Sequence, residues 1–214
     1  LKPAITRRTR FIMPVQLNGR TCDMDAIQAV ADEHGLKIIE DAAQALGSRF
    51  KGRAAGSFGA AAAFSFYPAK VLGCLGDGGL VCTNDDETAE QMHLLRDHGR
   101  DRNGSVRGWG MNSRLDNIQA AVLHLQFRDY DKIIDHRRAL ATTYDRALRD
   151  VAEVHLPPAP DADERHFDVY QNYELECDRR DELKKYLGDR SIGTLVQWGG
   201  AAVHQLSALG FTQA

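Results

Sequence analysis

Residues 23–39 restrict the fold more than any other stretch. DMDAIQAVADEHG sets Met24, Ile27, Val30 and Ala31 on one helical face, with Asp23 as cap and Gly35 as stop. Leu36–Ile39 follows at once as a continuous apolar run, the kind found in parallel strands covered on both faces. Arg10–Val15, ahead of the helix, also reads as a strand, so strand, helix and strand form one unit and the chain is α/β. Further strands are expected at Ala60–Phe66 and Leu80–Thr83, with Phe50–Gly59 between as loop or hairpin. A helix is expected over Asp86–His98 with Ala89, Met92 and Leu95 inward. Two more follow, one with the stripe Leu115, Ile118, Val122 and Leu125, and a longer one spaced from Tyr130 to Leu148.

The proline-rich, acidic segment Leu156–Glu164 marks a boundary between a large domain, 1–155, and a smaller α+β unit, 156–214. Beyond it Val169–Glu176 and Gly193–Trp198 read as strands, Asp181–Leu187 as a helix, and HQLSALG as a further helical hint. Hydrophobic content of 43%, charged content of 27% and a net charge of −3 provide a core but no basic field, which argues against nucleic acid or a membrane surface as partner. No apolar run approaches the roughly 20 residues that cross a bilayer. Cys22, Cys74, Cys82 and Cys177 show neither CxxC pairing nor histidines at zinc spacing. Reduced thiols in a cytoplasmic protein, with no metal site, are therefore expected.

Chemistry concentrates in FSFYPAKVLGCLGDGG, Phe64–Gly79, where Lys70 sits between an apolar strand end and a glycine-rich loop. A partly desolvated amine is more often neutral and can condense with a carbonyl. The competing reading is a hairpin, Phe64–Tyr67 against Gly79–Thr83, with Asp77-Gly78 as its turn. GCLGDGG follows the wrong strand for a dinucleotide fingerprint and lacks its GxGxxG helix start. Asp41, in EDAAQ, falls at the carboxyl end of the second strand, the edge where open α/β sheets bind ligands, though aspartate there also suits the cap of a turn. Pyridoxal phosphate asks for a lysine to hold its aldehyde, an acid for its ring nitrogen and donors for its phosphate. Lys70, Asp41 and Ser65 supply one of each.

At this point the sequence resembles the DegT/DnrJ/EryC1/StrS group of nucleotide-sugar aminotransferases. The resemblance rests on IIEDAAQALGSRFKGRAAGSFG, FSFYPAKVLGCLGDGGLVCTND, LLRDHG and GMNSRLDNIQAAVL, in that order. It implies an aspartate-aminotransferase-like fold, a mostly parallel large-domain sheet with flanking helices plus part of a small α+β C-terminal domain. It implies Lys70 as the Schiff-base lysine and proton shuttle, Asp41 as partner of the pyridine nitrogen, Gln44 near the phenolic oxygen and Ser65 on the phosphate. Asn112 in GMNSR resembles the asparagine that reaches the cofactor of a neighbouring subunit, which implies a homodimer with shared sites; its other reading is a helix cap. Arg114, Trp198 and His204 are the candidate substrate contacts, against helix-start packing for Arg114 and a core role for Trp198. Gln197-Trp198-Gly199-Gly200 departs from the histidine–aromatic–proline pattern of many relatives, whereas His204 keeps their later histidine.

The activity implied is transfer of an amino group from L-glutamate to a nucleotide-linked 4-keto- or 3-keto-6-deoxyhexose, with dTDP as the expected nucleotide. A PLP-dependent sugar dehydratase is the alternative within the superfamily, although a histidine typically stands there in place of Lys70. A non-catalytic PLP-fold protein is the alternative outside enzymology. The resemblance further implies that these 214 residues are the central portion of a longer enzyme, without its N-terminal segment and the end of its small domain.

Overall fold

The computed structural model describes residues 1–210, which form two compact units: Leu1–Val151 with Leu156–Leu175, and Ala152–His155 with the residues from Glu176 onward. In chain order the strands are β1 (Phe11–Ile12), β2 (Lys37–Asp41), β3 (Arg49–Phe50), β4 (Arg53–Ala54), β5 (Ala61–Ser65), β6 (Gly79–Cys82), β7 (Val154–His155), β8 (His166–Phe167) and β9 (Glu176–Cys177). The α-helices are α1 (Met24–His34), α2 (Asp86–Arg96), α3 (Asn117–Phe127), α4 (Tyr130–Leu148) and α5 (Arg180–Gly188).

In the first unit a four-stranded sheet runs β1-β2-β5-β6, with β1, β2 and β5 parallel and β6 antiparallel. The strand–helix–strand unit forms as its residues dictate. The Asp23 carboxylate accepts from the Ala26 N–H at 3.0 Å, and Gly35 closes α1 at φ 62, a left-handed conformation that glycine adopts without strain. Met24 and Ala31 of α1 are then buried against Ile38 of β2 and Phe50 of β3. Pairing of Asp41 with Ala63 sets the ends of β2 and β5 side by side.

Phe50–Gly59 does contain a hairpin, β3 to β4, turned by Lys51 and Gly52 with φ of 48 and 77. On its other side β3 pairs with β8, Arg49 opposite Phe167, and this draws residues 156–175 into the first unit. The compact units thus divide after Leu175, whereas the sequence reading drew its domain boundary at Leu156. A second core joins Val71, Leu72 and Cys74 to Leu123, Tyr130, Ile134 and Val169. In the second unit β7 pairs antiparallel with β9, and α5 follows.

Several expected elements differ. Of the strand expected over Val169–Glu176 only Glu176 enters one, β9, and Val169–Leu175 is irregular because its backbone groups are engaged elsewhere: the Val169 N–H donates to Gly19 at 2.9 Å, Tyr170 has φ 49, and Arg137 takes the carbonyls of Tyr170 and Gln171. Gly193–Trp198 forms no strand; Trp198 and Gly199 turn left-handed within a 3-10 turn, Gln197–Gly200. HQLSALG yields 3-10 turns at Val203–Gln205 and Ser207–Leu209 in place of an α-helix. The stripes expected to face inward are partly open, with Leu95 49%, Ile118 70% and Leu125 63% exposed, and Leu123 takes the core position instead. Among the described residues no helix is long and apolar enough to cross a membrane, no cluster of His, Cys, Asp and Glu is arranged to hold a metal, and the four cysteines are free.

Candidate active site

Two consecutive carboxylates end β2, and strand alternation sends them to opposite faces. Glu40 is fully buried. Its Oε1 accepts from the N–H groups of Phe58 (2.6 Å) and Gly59 (3.0 Å), and its Oε2 from Gly56 N–H (2.7 Å) and Gln16 Nε2 (2.9 Å). Asp41 is only partly buried. Its Oδ1 accepts from the Ala43 N–H at 3.1 Å, the turn-capping role read from the sequence, and among the described residues no donor reaches Oδ2. Its backbone is fixed on the β1 side, the N–H donating to Pro14 at 3.0 Å and the C=O accepting from Gln16 at 2.9 Å. Gln44 Oε1 accepts from the Asn18 N–H at 2.7 Å, which turns its amide NH2 away from that contact.

Ser65 ends β5 opposite Gly79. Its Oγ accepts from the Tyr67 N–H at 3.2 Å, leaving the hydroxyl hydrogen to donate elsewhere. The pairing expected of a hairpin is present, β5 against β6, but the two strands are joined by the long connection Phe66–Gly78 and not by a tight turn at Asp77-Gly78. Inside that connection the chain folds back on itself, with Phe66 N–H to Gly78 O at 2.7 Å, Cys74 N–H to Phe66 O at 2.7 Å and Lys70 N–H to Tyr67 O at 2.8 Å. Gly73 is required by close approach, since a Cβ there would lie 2.8 Å from the Pro68 oxygen and 2.9 Å from that of Tyr67. Val71, Leu72 and Cys74 plunge into the core and anchor Lys70, which is partly buried. Among the described residues no carboxylate or acceptor meets its amine.

Three polar contacts escaped the sequence reading. The Gln171 side chain bonds the backbone on both sides of Lys70, Gln119 Oε1 of α3 accepts from the Leu75 N–H at 2.9 Å, and Glu40 is caged as described. Period-2 alternation beside Asp41 was the one available signal for Glu40. Nothing local marks either glutamine.

Asn112 and Arg114 lie elsewhere in the first unit. Asn112 is exposed and bridges Asp97; Arg114 Nη1 is 3.1 Å from Asp97 Oδ1. Both line a cavity of about 1160 Å³ with Gly79–Cys82 of β6, the following Thr83, and Met92 and Arg96 of α2. Asp41, Ser65 and Lys70 do not line it. Asn112 is no helix cap, because Asp116 precedes α3. In the second unit Trp198 is 87% exposed, which removes the core reading for it there, and His204 lies exposed in the turn Val203–Gln205.

A family model matches residues 1–213, and the chain belongs to the DegT/DnrJ/EryC1/StrS aminotransferase family. It is 46% identical over 199 residues to a dTDP-3-amino-3,4,6-trideoxy-alpha-D-glucose transaminase of Streptomyces venezuelae, covering 92% of this chain and 52% of that protein. It is 41% identical over 198 residues to a "pleiotropic regulatory protein" of Geobacillus stearothermophilus, covering 92% and 53%. The crystal structure of S. venezuelae DesV in complex with a ketimine intermediate superposes with a TM-score of 0.90 at 44% identity, covering 98% of this chain and 55% of that one. The chain thus spans about half the length of the relatives it matches.

Pyridoxal phosphate is the cofactor of this family, and the residues present fit it. Adjacent strand ends bring a carboxylate with one oxygen unused and a hydroxyl with its hydrogen unused to a single sheet edge, and the connection leaving β5 carries the unpaired amine of Lys70.

Proposed function

We propose that the whole protein is a PLP-dependent transaminase that moves an amino group from L-glutamate to the keto carbon of a nucleotide-linked 6-deoxyhexose. One observation carries the reading: Asp41 and Ser65 end the neighbouring parallel strands β2 and β5, and Lys70 follows in the connection that leaves β5, in a chain of this family. Bound there, pyridoxal phosphate supplies an electron sink for the carbanion left when an amino acid gives up its α-proton. Lys70 holds the aldehyde through its amine and, once displaced, carries the proton on Nζ. Asp41 Oδ2 would keep the ring nitrogen protonated, the Ser65 hydroxyl would donate to the phosphate, and the Gln44 amide would serve the ring's oxygen. Asn112 serves the site of a second copy in a homodimer. Arg114, Trp198 and His204 are the proposed substrate contacts. The S. venezuelae relative's name puts the new amine on C3 of a dTDP-linked sugar, so a dTDP-3-keto-6-deoxyhexose is the first acceptor to test, ahead of the 4-keto sugar.

The test uses the full-length protein loaded with pyridoxal phosphate. A visible absorption band is expected that Lys70→Ala abolishes and glutamate shifts, with an aminated sugar identified by NMR from a panel of keto sugars. A band indifferent to glutamate would instead favour a regulatory role of the kind the G. stearothermophilus protein's name suggests.

A further inference from the structure

We infer that Gln171 is a positioning residue for Lys70. The geometry stands by itself, whereas its chemical consequence rests on the transaminase reading. Gln171 is 8% exposed, and its side-chain amide spans the lysine: Oε1 accepts from the Val71 N–H at 2.8 Å, and Nε2 donates to the Ala69 C=O at 2.8 Å. The Lys70 N–H donates to Tyr67 at 2.8 Å, so the main chain is held immediately before, at and after the lysine. The clamp is itself braced. Arg137 of α4 donates from Nη1 to the carbonyls of Tyr170 (3.0 Å) and Gln171 (3.1 Å), and the neighbouring Val169 is tied to Gly19.

Both Gln171 side-chain bonds end on the peptides flanking Lys70. Because no described residue receives the Lys70 amine, nothing at the tip of that side chain orients it. The direction of its Cα–Cβ bond does, and two hydrogen bonds from a residue far along the sequence set that direction. Misplacing a reacting atom by about 1 Å costs on the order of 10²-fold in rate.

The experiment compares full-length wild type with Gln171→Met, which removes both bonds at similar volume, and Gln171→Asn, which keeps the amide but shortens its reach. In the cofactor-free proteins, amide exchange at Val71 and the rate of acetic anhydride labelling at Lys70 are read by peptide mapping. Exchange at Val71 is expected to rise about tenfold or more in Gln171→Met while amides of α1 stay protected, as local opening demands. The Lys70 labelling rate is expected to change with it. With pyridoxal phosphate added, capture by Lys70, in which the amine adds to the aldehyde carbon and water leaves, is expected to slow in the same order as kcat falls, by about 10²-fold for Gln171→Met, with KM for glutamate little changed. Gln171→Asn is expected to lie between. Unchanged Val71 exchange, or raised exchange with wild-type labelling and kcat, overturns the inference. If wild type captures no cofactor at Lys70, the transaminase reading fails, and the clamp is then judged on exchange and labelling alone. Should Gln171→Met not fold, Gln171→Asn carries the same readouts.

Discussion

Replacing Glu40 by glutamine removes a buried charge and converts one of two acceptor oxygens into a donor. Each oxygen serves two donors: Phe58 and Gly59 N–H on Oε1, Gly56 N–H and Gln16 Nε2 on Oε2. Whichever end the new nitrogen occupies, two donors meet a donor. Flipping the Gln16 amide does not rescue the second arrangement, because Gln16 Oε1 already accepts from the Cys22 N–H at 2.7 Å. A buried donor left without its acceptor costs about 1–3 kcal/mol, so Glu40→Gln, which strands two, should destabilise by about 2–6 kcal/mol. Glu40→Ala strands all four donors and should cost at least about 4 kcal/mol before any cavity is counted. Urea midpoints of the full-length protein at constant m-value measure both. Loss of less than about 0.5 kcal/mol in Glu40→Gln would refute the reasoning, since a cage that tolerates a donor is not holding a carboxylate by those bonds.

Other consequences are checked more briefly. Burial, then the Glu40 charge, push the Cys22 and Cys82 thiols above 9.0, so Glu40→Gln should bring both back down toward that value in the pH dependence of alkylation. Burial, reinforced by Arg20, lowers His166 below 6.5. The unfolded chain therefore takes up a proton first, and stability should fall as pH drops from 6.5 through the lowered value, a slope that His166→Gln flattens in urea titrations. Asp168, raised by its burial, gives the opposite slope at lower pH. Gly73→Ala would drive a Cβ against two carbonyl oxygens, so it should slow cofactor capture at Lys70 and lower the urea midpoint. Arg114→Ala breaks an ion pair to Asp97 whose side chains are 44% and 34% exposed, and should shift stability by no more than about 0.5 kcal/mol. Any large loss of turnover in that variant then reports a substrate contact.

What was legible in the sequence was whatever a few neighbouring residues decide. The α1 cap at Asp23 and stop at Gly35 are local, and with the apolar β2 behind them they led directly to the parallel sheet. Lys70 and Asp41 stood out because their setting at strand ends is also local. Val169–Glu176 misled for the complementary reason: its composition suits a strand, but Gly19 and Arg137, both distant in sequence, engage its backbone. The stripe Leu115, Ile118, Val122 and Leu125 gives the correct helix without saying what covers it, and Ile118 and Leu125 stand open in the chain described. Gln171 and Gln119 were invisible because a glutamine's partner is fixed by tertiary placement alone.

Glu40 and Asp41 show how far local reading reaches and what completes it. A strand's side chains alternate, so a slip of one residue in β2 would turn Asp41 into the core and Glu40 toward the ligand edge. Backbone pairing alone resists this weakly, since ladder bonds can re-form one step along. The cage does resist it: three of the four donors on Glu40 come from Gly56–Gly59, the loop that delivers the chain into β5, the strand that pairs with β2. A slip would strand those donors at a cost of about 3 kcal/mol or more. The buried acid therefore acts as the register key for the partly buried one. Asp41 arrives beside β5 because the residue before it cannot go anywhere else.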